Sequence, residues 1–151
     1  MKKIVTLTVL VLSVFFSQAQ SDRQVKWIYS VKKIGDKTYE VHMTANIAGN
    51  YHLYAQNPGV EGPVPTNFNF VKNPLIILDG KVKESGQLVK KYESAWDGQV
   101  NYFKNEVNFI QVVRLKANVK TNLAGKVEFM VCDDSKCLPP SDVEFKVNIG
   151  G

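Results

Sequence analysis

The sequence comprises 151 residues, of which 44% are hydrophobic and 22% are charged, and its formal net charge is +5 at pH 7. This length suits one domain of ordinary size. The chain contains no basic run and no basic cluster with interleaved aromatic residues, so we interpret the mild positive charge as an aid to solubility. The composition therefore does not predict binding to nucleic acid.

The first segment, Met1–Ala19, has the pattern of a secretory signal peptide. Two lysines precede an apolar run of 13 residues, Ile4–Phe16, and small residues occupy positions 17 and 19. The run is shorter than the roughly 20 residues that span a membrane, so we expect cleavage before Gln20 and no stable membrane insertion. An uncleaved N-terminal anchor is the alternative. Secretion would place the protein in a compartment where disulfides form, which predicts a periplasmic location.

Residues 20–151 are predicted to form one domain built from β-strands. Apolar and polar residues alternate in Val25–Val31 and again in Tyr39–Ile47, with a turn at Gly35-Asp36 between them, which predicts a β-hairpin. No window has a sustained helical stripe with caps at both ends. About eight short strands with turn residues between them indicate an antiparallel β-sandwich. The later strand candidates are Asn67–Val71, Leu75–Leu78, Gln87–Tyr92, Val107–Leu115, Lys126–Val131 and Val143–Ile149.

The two cysteines, Cys132 and Cys137, lie close together between a predicted strand and the double proline Pro139-Pro140. A structural disulfide closing about six residues would contribute roughly 2 kcal/mol, against about 4.7 kcal/mol for a 100-residue loop. The polar residues between the cysteines suggest exposure, and exposed disulfides are the exchangeable ones. The spacing alone leaves a redox pair and a structural staple both open. A metal site is less favoured, because two thiolates supply half of a tetrahedral site.

Few other side chains suggest chemistry. The chain has two histidines, and neither a serine nucleophile elbow nor a glycine-rich phosphate loop is present. His42 lies at an outward position of its strand and is expected to be a solvated surface residue. His52 lies between aromatic residues before a loop, which fits a partly buried structural histidine or a metal ligand beside the two thiols. Trp96, in the loop Glu93–Gly98, fits either a packed anchor or a functional lid.

Taken together, these features resemble the N-terminal domain of DsbD-type thiol:disulfide interchange proteins, also described as the disulfide bond corrector family. The resemblance extends from Val25 to Ile149 and implies an all-β, immunoglobulin-like antiparallel sandwich with a redox-active cysteine pair at one end. The matching residues are Cys132, Cys137, Pro139-Pro140, Gly49-Asn50-Tyr51-His52-Leu53-Tyr54 and Gly62-Pro63-Val64-Pro65-Thr66.

The resemblance also assigns the surroundings of the cysteines. A short loop carrying an aromatic residue caps the pair in this family. That loop often reads Phe-Tyr-Gly, whereas this chain has Ala-Trp-Asp-Gly. Trp96 would therefore be the cap, with Asp97 beside it, and His52 and Tyr54 would form walls of the site. The chemistry needs no cofactor and no metal.

The implied activity is thiol:disulfide exchange by a free-standing, monomeric, secreted version of the domain. It would relay reducing equivalents from a thioredoxin-like or membrane electron donor to oxidised periplasmic disulfide proteins, with apocytochromes c among the candidate targets. The alternative is a non-enzymatic secreted β-sandwich binding module with a structural disulfide.

The residues between the cysteines predict an asymmetry between the two thiols. Asp133 and Asp134 beside Cys132 disfavour its thiolate, whereas Lys136 beside Cys137 favours one. Local charge therefore indicates that Cys137 is the nucleophile and the sulfur first joined to a partner. The resemblance assigns the mixed disulfide to the same cysteine.

Overall fold

The computed structural model describes residues 23–151, and every regular element in this part of the chain is a β-strand. The predicted signal peptide lies outside the described residues. No helix within them is long and apolar enough to cross a membrane. The strands are β1 (Val25–Gly35), β2 (Thr38–Ile47), β3 (His52–Tyr54), β4 (Asn67–Phe70), β5 (Ile76–Glu93), β6 (Gly98–Leu115), β7 (Thr121–Phe129), β8 (Val131–Cys132) and β9 (Ser141–Ile149).

Two antiparallel sheets pack face to face, as predicted for an immunoglobulin-like sandwich. Sheet A has the strand order β1-β2-β6-β3-β8, with β5 paired to β6 as well, and sheet B has the order β4-β7-β9. The main core lies between the sheets. There the ring of Trp27 from β1 contacts Phe109 of β6, and across the interface it contacts Phe68 of β4 and Phe129 of β7, with ring centroids 5.6–6.0 Å apart.

The first hairpin confirms the prediction from alternation. β1 and β2 pair from Val25 opposite Ile47 to Gly35 opposite Thr38. Along β2 the residues alternate strictly between buried and half-buried, because one face of this antiparallel pair covers the main core.

The longest strands differ from the prediction. The sequence predicts separate strands at Leu75–Leu78 and Gln87–Tyr92, but β5 is continuous across both, and β6 begins nine residues before the predicted Val107. The residues between the two predicted pieces are polar apart from Val82 and include Gly80 and Gly86, a composition typical of a turn. Because nearly all of β5 is exposed, its strand conformation depends on hydrogen bonding to β6 rather than on apolar alternation.

The predicted strand Lys126–Val131 is divided between the two sheets. β7 ends at Phe129 in sheet B, and β8 begins at Val131 in sheet A, so the chain crosses from one sheet to the other at Met130. Strands that switch sheets close the corners of sandwiches. The crossing places Cys132 at the edge of sheet A, beside β3.

Candidate functional site

The strands β3, β6 and β8 carry two separate sets of buried side chains at one end of sheet A. Leu53, Phe103 and Val131 lie opposite one another and enter the main core. The residues next to them along each strand point to the opposite face of the sheet. There a second apolar cluster forms, which we call the site cluster; its buried members are Tyr54, Val100, Tyr102, Met130 and Cys132. The two faces of the same strands thus serve the core and the site.

The cysteines close a tight hairpin and are joined by a disulfide. Cys132 and Cys137 are directly opposite each other, with Cα atoms 4.0 Å apart. The amide of Leu138 donates to the carbonyl of Val131, and the amide of Asp133 donates to the carbonyl of Lys136, each at 2.9 Å. The cysteines therefore occupy a non-hydrogen-bonded antiparallel pair, the arrangement that brings opposite side chains closest together.

A carboxylate orders the four residues between the cysteines. Oδ1 of Asp133 accepts hydrogen bonds from the hydroxyl and the amide of Ser135, at 2.7 and 2.8 Å, and from the amide of Lys136 at 2.8 Å. These bonds favour the ionised form and lower the pKa of Asp133 to about 2. The side chain of Asp133, next to Cys132, is therefore negatively charged at neutral pH.

The two sulfur-bearing residues differ in burial. Cys132 is 2% exposed and packs within the site cluster, whereas Cys137 is exposed. Both border an open groove of about 390 Å³ between the cysteine hairpin and the β5–β6 turn. A molecule entering the groove thus has easier access to Cys137. The groove is lined by Tyr54, Cys132, Cys137 and the segments 91–96 and 133–136.

Trp96 lies in the turn that faces the cysteines across this groove. The turn is closed by amide-to-carbonyl bonds from Trp96 to Glu93 and from Asp97 to Ser94, at 3.1 and 3.3 Å. The indole is half-buried against the site cluster, and its Nε1 donates to the hydroxyl of Tyr54 at 2.9 Å. The structure thus brings Trp96, Tyr54 and both cysteines together.

Gly62 allows the indole to lie in this position. The φ angle of Gly62 is +121°, a left-handed value that favours glycine, and a Cβ atom there would overlap the six-membered ring of Trp96. The loop after β3 therefore supports the indole from the side away from Tyr54. Gly62 belongs to one of the segments that carry the family resemblance, but nothing in the sequence predicted its contact with Trp96.

Asp97 lies beside Trp96 in the turn between β5 and β6. Its φ is +47°, and its Oδ1 accepts a hydrogen bond from the hydroxyl of Tyr92 at 2.7 Å. Among the described residues, those that line the groove do not include Asp97. The side-chain hydrogen bond of Asp97 is made within the turn, and its part in the site stays a prediction.

His52 is buried beside the disulfide and is 3% exposed. It lies directly opposite Cys132 in the β3–β8 pair, and its ring contacts those of Tyr102 and Tyr54, with centroids 4.2 and 5.3 Å away. Burial, together with the charge of Lys104, lowers the pKa of His52 to about 4. The imidazole is therefore neutral at neutral pH.

His42 lies on β2, away from the cysteines. His42 is half-buried on the outer face of β2, where its Nδ1 is 2.8 Å from the side-chain amide of Asn108 and its Nε2 is 3.4 Å from Glu40. Within residues 23–151, no group of three or more His, Cys, Asp or Glu side chains is arranged to hold a metal ion.

Several site residues were not identified from the sequence. Tyr102 and Met130 are buried in the site cluster, and Val60 and Val64 pack against it from the loop after β3. Alternation along β6 could have placed Tyr102 on the face opposite to Phe103. The contacts of Met130 depend on the crossing between the sheets, which has no signal in local sequence.

Comparisons with known proteins agree with this architecture. The family model for "Thiol:disulfide interchange protein DsbD, N-terminal" matches residues 17–149. None of the curated protein sequences matches the chain. The reduced form of the Neisseria meningitidis DsbD N-terminal domain is 16% identical with a TM-score of 0.53, and the match covers 86% of this chain and 89% of that chain.

A second solved structure, the N-terminal periplasmic domain of ScsB from Proteus mirabilis, is 12% identical with a TM-score of 0.60. That match covers 87% of this chain and 48% of that chain, so this chain spans about half of its length. At these identities the two structures show a shared fold. Since the family model matches nearly the whole chain, the chain belongs to the family of DsbD N-terminal domains.

Proposed function

We propose that this protein is a periplasmic thiol:disulfide interchange module that uses Cys132 and Cys137 as its redox pair. Family membership and the bonded cysteine pair support thiol:disulfide exchange in general. The observation that carries the specific proposal is the asymmetry of the pair, since one cysteine is exposed in an open groove and the other is 2% exposed behind it. This difference in exposure fits an attacking thiol that partners can reach and a resolving thiol that they cannot.

The exchange proceeds in two balanced steps. In the reduced protein, the thiolate of Cys137 attacks a sulfur of a partner's disulfide, a mixed disulfide forms, and the partner's other sulfur leaves as a thiolate. The thiolate of Cys132 then attacks Cys137, the bond between Cys137 and the partner breaks, and the partner leaves with two thiols. Two electrons pass to the partner, and Cys132–Cys137 is oxidised. An incoming dithiol reverses both steps.

The proposal includes two kinds of partner, an electron donor and oxidised acceptor proteins. A thioredoxin-like or membrane-bound donor would reduce the pair, and oxidised periplasmic proteins, including apocytochromes c, would receive the electrons. The groove suits a protein partner because it is open and its rim includes both charged and aromatic side chains, among them Lys91, Glu93 and Tyr92. The Met1–Ala19 segment supports export, and the proposed domain acts as a monomer.

Trapping with single-cysteine variants tests the proposal. Cys132→Ser should accumulate mixed disulfides through the exposed Cys137, because the resolving thiol has been removed. Cys137→Ser should trap few partners, since the remaining thiol is buried. Both variants are expressed in cells, and disulfide-linked species are separated on non-reducing gels. Equal trapping by the two variants would contradict the assigned asymmetry, and no trapping by either would contradict the function.

The alternative, a binding module with a structural disulfide, makes a different prediction for the reduction potential. Structural disulfides in secreted proteins typically lie below about −300 mV, whereas exchangeable ones are more oxidising. Equilibration of the purified protein with thiol–disulfide buffers of known potential measures this quantity. A value above about −300 mV is expected for the exchange module.

A further inference from the structure

Resolution of the mixed disulfide requires Cys132 as a thiolate, because the thiolate and not the thiol attacks sulfur. Cys132 is buried among aromatic and aliphatic side chains of the site cluster, and apolar surroundings disfavour a thiolate. The ionised carboxylate of the adjacent Asp133 disfavours it as well. A hydrogen-bond donor beside the sulfur would offset both effects. The inference below rests on the proposed function and concerns this donor.

His52 has the position of such a donor. It lies directly opposite Cys132, so the two side chains project from the same face of sheet A with Cβ atoms about 4.5–5.5 Å apart. Its Nε2 is buried and has no hydrogen-bond partner among the described residues. Buried polar atoms are rarely left unpaired, because each lost bond costs free energy. In the oxidised protein the sulfur of Cys132 is committed to Cys137, whereas reduction frees it to accept a bond.

The charged and titratable groups around His52 fit a neutral donor. Burial is the largest influence and disfavours the imidazolium, as do Lys104 on β6 and Lys91 on β5, whereas Asp134 and Asp133 in the cysteine hairpin favour it. The imidazole therefore carries one N–H at neutral pH. Two tyrosines contact its ring, and the hydroxyl of Tyr54 already accepts a bond from Trp96, although it keeps a proton of its own. Tyr54 is thus the rival donor.

We propose that His52 Nε2–H donates a hydrogen bond to the sulfur of Cys132 once the disulfide is open, and so holds the resolving thiol as a thiolate. The proton of the Cys132 thiol passes to solvent. The thiolate then attacks Cys137, the Cys132–Cys137 bond forms, the bond between Cys137 and the partner breaks, and the departing partner thiolate takes a proton from solvent. His52 returns to its unpaired state and is neither oxidised nor reduced.

The test measures the ionisation of Cys132 by itself. In a Cys137→Ser background Cys132 is the only thiol in the chain, so the ultraviolet absorbance of its thiolate against pH gives its titration midpoint. Adding His52→Phe should raise this midpoint by about one unit, which is a tenfold loss of thiolate at a pH below the midpoint. His42→Phe is the matched control, because it makes the same change at the other histidine, on the outer face of β2, and should leave the midpoint unchanged.

Further variants separate a chemical role from a structural one. His52→Gln retains an N–H donor and should recover part of the lost thiolate, and it replaces His52→Phe if the phenylalanine variant does not fold. An unchanged midpoint in both His52 variants would overturn the proposal. A raised midpoint in Tyr54→Phe, with no effect of the His52 variants, would assign the donor to the tyrosine instead. Failure of the proposed function would be visible separately, as an absence of trapping by Cys132→Ser.

Discussion

Trp96 is the residue whose position connects the turn, the loop after β3 and the disulfide. Its indole is fixed by the hydrogen bond to Tyr54 on one side and by the glycine at position 62 on the other, and it borders the groove that contains both cysteines. The sequence left two interpretations open, a packed anchor and a lid. The ring packs against the site cluster, as an anchor would, and its place on the groove leaves its role as a lid over the sulfurs a prediction.

Displacing this indole should make the disulfide more reactive. Trp96→Ala removes the ring, and Gly62→Ala forces it aside because the added Cβ would overlap it. Both variants should react faster with a small thiol such as dithiothreitol, since access to sulfur controls the rate. Their free energies of unfolding should fall by less than the roughly 3–5 kcal/mol typical of a core aromatic truncation. Stopped-flow reduction and denaturant unfolding measure the two quantities.

Gly80→Ala is the matched control for the glycine variant. Gly80 also has a positive φ, +72°, but an added Cβ there meets nothing within 4 Å. It should therefore add backbone strain without changing the rate of reduction. Unchanged reduction of Trp96→Ala, with a loss of several kcal/mol in stability, would show that Trp96 is a core residue and not a cap.

At the scale of elements, the cysteine hairpin depends on an ionised side chain. The pKa of Asp133 is about 2, below the ordinary 3.8, because Ser135 and Lys136 donate hydrogen bonds to its carboxylate. A lowered carboxyl pKa contributes stability that is present above the ordinary pKa and is lost as the pH falls through the folded pKa. The hairpin is therefore expected to lose this contribution in acid.

Comparing wild type with Asp133→Asn over pH tests this expectation. The asparagine retains the acceptor oxygen but carries no charge, so the difference in free energy of unfolding should be largest above about pH 4 and should shrink towards pH 2. Denaturant unfolding of the oxidised protein at several pH values measures it. Asp134→Asn, at the exposed neighbouring carboxyl, is the control. A difference that stays constant over this range would mean that the ionised carboxylate of Asp133 does not stabilise the hairpin.

The elements also show what local sequence can and cannot predict. Alternation placed β1 and β2 correctly, because successive residues differ in burial: buried and half-buried residues alternate along β2, and exposed and half-buried residues alternate from Lys26 to Val31 in β1. It failed for β5, whose exposed residues have no reason to alternate. It also failed at Met130, because the division of one apolar run between two sheets is decided by tertiary pairing. The pairing of Cys132 opposite His52 depends on that same crossing, so spacing alone could not reveal it.

At the scale of the whole molecule, the main core and the site cluster share strands but not buried side chains. Leu53 and Phe103 belong to the main core, and Tyr54 and Tyr102 belong to the site cluster. Packing energy in folded proteins is largely local, and distant sites are usually additive. Stability and reactivity should therefore respond separately to substitutions in the two regions.

A pair of identical substitutions tests this separation. Val127→Ala removes buried methyl groups from the main core in sheet B and should cost about 2 kcal/mol, with no change in the rate at which the folded protein is reduced. Val60→Ala, in the loop that packs against the site cluster, should have a smaller effect on stability and should accelerate reduction. Thermal or denaturant unfolding and dithiothreitol kinetics are measured on both. Equal changes in both properties for the two variants would contradict the separation.

The disulfide closes a small loop, so the protein should remain folded when the bond is reduced. The bond spans a sequence separation of 5 within a single hairpin, and the strands that it adjoins are held by their own hydrogen bonds. Opening it releases a constraint worth roughly 2 kcal/mol, a minor part of the 5–15 kcal/mol that typically stabilises a domain. If the pair cycles as proposed, opening the disulfide is therefore not expected to populate an unfolded chain that would be open to aggregation or proteolysis.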